Sequence, residues 1–405
     1  MSMNSTPKGE RIHIALFGRR NAGKSSLINA ITGQDLAIVS EIKGTTTDPV
    51  YKAMEILPLG PVMLVDTPGL DDEGTLGAER IRKAKSVLNK TDIALIVTDG
   101  AQATDNLSFE NTILELTEKK KIPAILVLNK QDEWQEQEDK IATFGDICVS
   151  AKSGYHIHEL KELIARKIPT EEQTGKIVGD LLSPGDFVVL VVPIDSAAPK
   201  GRLILPQQQV IRDVLESGAV AVVCRATELT DTLNRLGQTP RLVITDSQAF
   251  EYVSKHTPEE IPLTSFSILF SRYKGDLAEQ IHGVKALKNL KDGDTLLMAE
   301  GCTHHRQCED IGTVKLPRWI REYTKKELIF ETSSGGTFPE NLEKYAMIVH
   351  CGGCTLSQRE MSFRIAEAKG QHVPIVNYGT LIAGLKGVLK RSIEPFDEIS
   401  SIYTD

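Results

Sequence analysis

Gly18-Arg19-Arg20-Asn21-Ala22-Gly23-Lys24-Ser25 follows a short apolar run, Ile12–Phe17, and opens a stretch of helical pattern, Lys24–Ile31. A strand, a loop with glycines near both ends, and Lys-Ser at the mouth of a helix form an arrangement that turns backbone N–H groups onto phosphates. The helix N-terminus adds partial positive charge. In this pattern Gly18, Ala22 and Gly23 shape the loop, Lys24 reaches the β- and γ-phosphates, and the Ser25 hydroxyl binds Mg²⁺. Ser26 is grouped with the phosphate-binding residues. Asp66 ends the next hydrophobic strand, in Asp66-Thr67-Pro68-Gly69. Its carboxylate suits the magnesium sphere, and the Gly69 N–H suits the γ-phosphate.

Base choice is written further on. Asn129-Lys130-Gln131-Asp132 follows the apolar run Ala124–Leu128, and Ser150-Ala151-Lys152 follows Ile147–Val149. A carboxylate at Asp132 accepts from guanine N1–H and N2–H₂, whereas adenine offers neither donor there. The Ala151 N–H is expected to meet guanine O6. A site built on such polar pairs discriminates by roughly 10⁴ or more. The nucleotide is expected to be GTP, not ATP.

Outward from these motifs, strand-like runs alternate with helical ones: Ile12–Phe17, Val62–Val65, Ile93–Val97, Ala124–Leu128 and Ile147–Val149 against Lys24–Ile31, Gly77–Leu88, Leu107–Lys119 and Ile157–Lys167. That rhythm predicts a parallel sheet with helices on both faces. The fold class expected is α/β, a P-loop domain over 1–172 followed by two smaller α/β domains with parallel sheets, over 180–260 and 264–405. In the last of these, one long helix is predicted over Ile268–Leu290.

The chain has 405 residues, with 47 Lys and Arg against 55 Asp and Glu, a net charge of −8, and 5% aromatics. The acidic balance and scarce aromatics argue against a nucleic-acid face. The longest apolar runs, such as Phe187–Ile194, have eight residues, far below the ~20 of a membrane helix. A cytoplasmic protein with no membrane attachment is expected.

Six cysteines are too few for a disulfide scaffold. Cys148 and Cys224 sit singly in apolar runs and read as strand packing. Cys302, Cys308, Cys351 and Cys354 crowd the last third, in Cys302-Thr303-His304 and His350-Cys351-Gly352-Gly353-Cys354. The C-x-x-C closes a small chelate, and Gly352-Gly353 keeps its surroundings uncrowded. Thiolates hold zinc or an iron–sulfur cluster, and spacing alone does not separate the two. Cys302 and Cys351 each follow a predicted strand, and open parallel sheets bind ligands beyond the carboxyl ends of their strands.

Residues 11–170 resemble the Era/TrmE branch of translation-factor-class GTPases. Gly44-Thr45-Thr46-Thr47-Asp48 is similar to the branch's Gly-Thr-Thr-Arg-Asp switch segment, departing at Thr47. The resemblance implies that Thr46 gives a second Mg²⁺-binding hydroxyl and, with Lys24 and Gly69, serves catalysis. It implies that Asn21 helps hold a K⁺ ion in place of an arginine finger. Leu70 stands where Ras-type enzymes carry a water-orienting glutamine, so intrinsic hydrolysis is expected to be slow.

With Cys-x-His and His-Cys-x-x-Cys on the same chain, the whole sequence resembles the HydF family, GTPase maturases and scaffolds for [FeFe]-hydrogenase. By that resemblance Cys302, Cys351 and Cys354 hold a [4Fe–4S] cluster, leaving one iron open, with His304 and His350 as candidate fourth-site ligands. Cys308 departs from the family motif. The resemblance further implies a diiron precursor of the H-cluster as cargo, a homodimer or larger assembly through the central segment, and three partners: the hydrogenase apoprotein and two radical-SAM maturases. The competing reading is a tRNA-modification or ribosome-assembly GTPase with a zinc-stabilised tail. Acidity and the lack of a Lys/Arg-rich tail weigh against it.

Overall fold

The computed structural model describes residues 6, 8–33, 49–68, 75–103, 107–134, 142–168, 175–194, 203–301, 310–335 and 338–401. The chain divides into two compact units, Met1–Thr174 and Gly175–Asp405.

The first unit is built on a six-stranded sheet in the order β2-β3-β1-β4-β5-β6, with β1 Ile12–Phe17, β2 Val50–Ile56, β3 Gly60–Asp66, β4 Ile93–Asp99, β5 Ala124–Asn129 and β6 Ile147–Cys148. All neighbours are parallel except β2 against β3. Every residue of β4 is buried, as a central strand covered on both faces requires. One face packs Ile14, Leu16, Leu27, Ile31, Leu95 and Val127 into a core. The other packs Phe17, Leu88, Ile96, Ile113 and Leu128. Helices Lys24–Thr32, Thr75–Leu88, Ser108–Lys119 and Ile157–Lys167 complete the unit.

The second unit holds two four-stranded sheets, ordered β10-β9-β7-β8 and β12-β11-β13-β14. Their strands are β7 Phe187–Val191, β8 Val220–Cys224, β9 Leu242–Thr245, β10 Leu263–Ser265, β11 Thr295–Glu300, β12 Ile329–Ser334, β13 Met347–His350 and β14 Ile375–Asn377. Both sheets are wholly parallel. Both also share one strand order: the first strand lies between the second and third, so the connections depart in opposite directions at β7/β9 and at β11/β13. Strands β7 to β9 fall within 180–260, but β10 of the same sheet, Leu263–Ser265, lies past it and crosses the start of 264–405. A continuous apolar core joins the two sheets through Val189, Phe250, Leu269, Leu296, Val349 and Leu381. Polar bonds reinforce the seam. Thr264 Oγ1 donates to Ser392 O at 2.8 Å, and Arg391 Nη1 and Nη2 donate to Ser254 O at 2.7 Å and Thr257 O at 2.8 Å.

The predicted single helix over Ile268–Leu290 is two helices, Phe266–Lys274 and Leu277–Ala286. Gly275 leaves the helical conformation, and the Asp276 side chain caps the second helix by accepting from Glu279 N. A carboxylate at an N-cap competes with helix continuation. The sequence reading does not single out β2, β10 and β12. No described helix is long and apolar enough to cross a membrane.

The second of these helices lies so close to β14 that a Cβ on Gly283 would meet Ile375 O at 2.4 Å. Gly283→Ala should therefore destabilise the full chain by about 1–3 kcal/mol through overpacking, despite alanine's higher helix propensity. Urea unfolding with an unchanged or raised midpoint would contradict that close approach.

Candidate functional site

The loop after β1 turns sharply. Asn21 has φ 62° and Gly23 φ 90°. A Cβ on Gly23 would meet Asn129 Nδ2 at 2.2 Å, so only glycine lets the loop pass this side chain. Lys24 is buried, and its Nζ donates to Gly18 O at 2.8 Å and Arg19 O at 2.9 Å. Ser25 Oγ donates to Asp66 Oδ2 at 2.8 Å. The hydroxyl and the carboxylate expected to share a divalent cation are thus adjacent, although 41 residues separate them in sequence.

Asn129 links this loop to the base-side loops. Its Nδ2 donates to Ala22 O at 3.0 Å, and its Oδ1 accepts from Ala151 N at 3.1 Å. The Ala151 N–H, expected at guanine O6, here serves Asn129. Lys130 sits at φ 65° with Nζ on Asp99 Oδ2 at 2.8 Å. That carboxylate's hydrogen bond holds the lysine's pKa above its ordinary value. Asp132 Oδ1 accepts from Ser150 Oγ at 2.6 Å, and Lys152 Nζ lies 3.5 Å from Oδ2. The Ser150 bond foremost, with Lys152 adding attraction, lowers the Asp132 pKa. Asp132 therefore stays an anionic acceptor at neutral pH, the state in which it can take two donors from one purine edge.

Two contributors escape sequence reading. Asp99 anchors Lys130, and Trp134 Nε1 donates to Asn129 O at 2.9 Å. Trp134 lies against Gly100, where a Cβ would meet its Cε2 at 2.2 Å. An Asp-Gly pair closing a central strand was the available signal. Thr46, Gly69 and Leu70 lie outside the described residues.

In the second unit, β11 and β13 end side by side at the reversal of strand order. Cys351 N donates to Ala299 O at 2.8 Å. Cys351 Sγ in turn accepts from Gly301 N at 3.0 Å and from Gly353 N at 3.4 Å. Two backbone N–H groups aimed at one sulfur favour its thiolate form. Gly353 has φ 62°, and a Cβ there would meet Met361 Sδ at 2.6 Å, whereas a Cβ on Gly352 would meet nothing within 4 Å. Of the two glycines, only Gly352 fronts open space. Thr355 Oγ1 closes the loop on Gly301 O at 3.2 Å.

His350 is buried beneath this loop. Its Nδ1 lies 2.7 Å from Cys351 O, and its Nε2 lies 3.0 Å from Arg364 Nη1. Burial first, and then the Arg364 charge, depress its pKa to about 3. Arg364 is 1% exposed and pairs with Glu360 Oε1 at 2.7 Å. Tyr378 completes the surroundings. A Cβ on Gly312 would meet its hydroxyl at 2.3 Å, and burial raises its pKa, keeping the phenol protonated. Cys302, His304 and Cys308 lie outside the described residues. Among the described residues no group of three His, Cys, Asp or Glu side chains is placed to hold a metal. Cys351 and Cys354 bring two thiols of the expected donor set to this loop, and the N–H groups on Cys351 suit an anionic sulfur ligand.

A family described as 50S ribosome-binding GTPase matches residues 13–130. The tRNA modification GTPase MnmE of Heliobacterium modesticaldum is 35% identical over 167 residues, covering 40% of this chain and 35% of its own length. The GTPase Der of Wolinella succinogenes is 36% identical over 180 residues, covering 39% of this chain and 38% of its own. This chain thus spans little more than a third of those relatives. A crystal structure of Aquifex aeolicus Era bound to GDP and AlF₄⁻ is 20% identical, with a TM-score of 0.32 over 56% of this chain and 98% of that one. That likeness is too low to carry an argument. Beyond the GTPase region, the hydrogen maturase F dimerization domain matches residues 177–275 and the hydrogen maturase F tetramerization domain matches 278–395. With an N-terminal GTPase domain joined to both of these, the chain belongs to the hydrogen maturase F (HydF) family.

Proposed function

We propose that this chain is a GTP-switched iron–sulfur scaffold. It would carry a [4Fe–4S] cluster, assemble a diiron H-cluster precursor and deliver it to [FeFe]-hydrogenase in the cytoplasm. The observation that carries the reading is Cys351, whose sulfur accepts two backbone N–H groups at the strand-order reversal of its sheet, with Cys354 following in the same loop. In this reading Cys302 from the end of β11 joins them. Three thiolates hold the cluster, which supplies an iron open to exchangeable ligands. The names of the GTPase relatives point to tRNA and ribosomes, but those matches cover about two-fifths of this chain, and the ribosome-binding GTPase family matches only residues 13–130. Residues 177–395 match hydrogen maturase domains.

At the nucleotide, Lys24 exchanges the Gly18 and Arg19 carbonyls for phosphate oxygens. Ser25, Asp66 and Thr46 would hold Mg²⁺, which neutralises phosphate charge. The Asp132 carboxylate receives the guanine N1–H and N2–H₂ donors, and Asn129 keeps the phosphate and base loops in register. Asn21, held in the left-handed conformation, would direct its amide oxygen toward K⁺. The two radical-SAM maturases and the hydrogenase apoprotein are the partners proposed.

Hydrolysis of GTP should be severalfold faster in K⁺ than in Na⁺, and equal rates would remove Asn21 from a cation site. Lys24→Ala should abolish productive nucleotide binding. Asp132→Asn should weaken the preference for guanine by roughly two orders of magnitude or more, measured as competition between GTP and ATP.

Ser variants of Cys302, Cys351 and Cys354 should each lose the reduced-cluster EPR signal after anaerobic reconstitution, while Cys308→Ser keeps it. Loss of signal in Cys308→Ser would mean four-cysteine ligation and no open iron.

The edge strand β8 leaves Val220 41% and Val223 46% exposed, an apolar edge suited to pairing with a second copy. Light scattering should give at least the mass of two chains, and Val223→Lys should lower it. A monomer at micromolar concentration would rule this out.

A further inference from the structure

Arg364 is a fully formed cation placed where no solvent reaches it, 1% exposed. Its Nη2 donates to Glu360 Oε1 at 2.7 Å and to Gly335 O at 3.0 Å, and Phe338 lies 5.2 Å from Cζ. Its Nη1 points at His350 Nε2, 3.0 Å away. A guanidinium can only donate, so that imidazole nitrogen must be the acceptor. The ring's proton then sits on Nδ1, which faces the Cys351 carbonyl at 2.7 Å. A carbonyl can only accept, so both contacts demand the same tautomer. Both nitrogen positions of His350 are thereby used. Cys351 is in turn fixed at every polar atom: its N–H by Ala299, its sulfur by Gly301 and Gly353, its carbonyl by His350.

We propose that Arg364 is a positioning residue for the thiolate site. Clamped by Glu360, it saturates His350 Nε2, so that His350 steers the Cys351 backbone and is not an iron ligand. The inference rests on the reading that Cys351 and Cys354 hold a cluster. It narrows the fourth-site candidates by removing one histidine that the motif put forward. A buried arginine is costly unless paired, and here its charge is met by Glu360 and its Nη1 orients a neutral ring, while Nε is buried with no hydrogen-bond partner among the described residues. Partners behind a metal ligand commonly change metal affinity about 10–100-fold when removed.

The test uses the full chain in two states. In cluster-free protein labelled with ¹⁵N-histidine, the ring resonances absent from H350N should be those of a neutral imidazole protonated at Nδ1. A ring protonated at Nε2 overturns the proposal whether or not the chain ever takes up iron. After anaerobic reconstitution, H350N, whose amide can still donate to the Cys351 carbonyl, should keep the parent iron and sulfide content and EPR signal. Disappearance of a nitrogen hyperfine coupling in H350N would identify His350 as a ligand and refute the proposal. Arg364→Met should release iron to a chelator about 10–100-fold faster than the parent. R364K, which keeps the buried charge opposite Glu360 and so guards against misfolding, should recover most of that loss. Equal release from all three refutes the positioning role. A parent chain that binds no iron and sulfide instead defeats the cluster reading, and the ring tautomer still decides the inference.

Discussion

Parallel pairing of a strand with neighbours on both sides leaves its carboxyl end open where the two connections part, and the loop after β1 and the Cys351 loop both sit at such ends. β1 lies between β3 and β4, and the loop from Gly18 to Gly23 leaves from its end. β11 lies between β12 and β13, and Gly301 and Cys351 follow the ends of β11 and β13. Past these ends the ladder has stopped, and at the second of them the Gly301 and Gly353 N–H groups turn to the Cys351 sulfur. At the first, the proposed partner is a phosphate. The same architectural constraint thus underlies both the proposed phosphate site and the proposed cluster site.

What the two places add is specific. Around the nucleotide, Asn129 touches both the Ala22 carbonyl and the Ala151 N–H, so the base and phosphate loops move as one. In the proposed binding mode, a purine on Asp132 would thereby be positioned relative to Lys24 and Ser25. Around Cys351 the supporting groups are buried and charged. Arg364, Glu360 and His350 form a connected set beneath the loop. Both Nη groups of Arg364 are engaged, while its Nε is buried with no hydrogen-bond partner among the described residues.

Much of this was legible in sequence because motifs at strand ends announce both the strand and its function. The phosphate loop, Asp66, Asn129–Asp132 and Ser150–Lys152 each mark where an apolar run terminates. The edges were not legible. β12 reads Ile329-Phe330-Glu331-Thr332-Ser333-Ser334, mostly polar because it is an exposed edge, and β10 is three residues long after Pro262. The helix break at Gly275-Asp276 was hidden inside a continuous apolar periodicity, which the cap overrode. Arg364 was invisible for another reason. A charged residue in a helix reads as solvent-facing, and only the fold shows that Glu360, one turn earlier, allows it to be buried. Asp99 and Trp134 were missed because their role is to hold a motif, not to belong to one.

In the proposed function, the sulfur site at the ends of β11 and β13 belongs to an iron–sulfur cluster and not to a structural zinc. Metal and acid-labile sulfide analysis of the full chain, purified without oxygen and without added iron, tests this most directly. The account predicts about four iron and about four sulfide per chain, with charge-transfer absorption and no stoichiometric zinc. About one zinc per chain with no sulfide would contradict it.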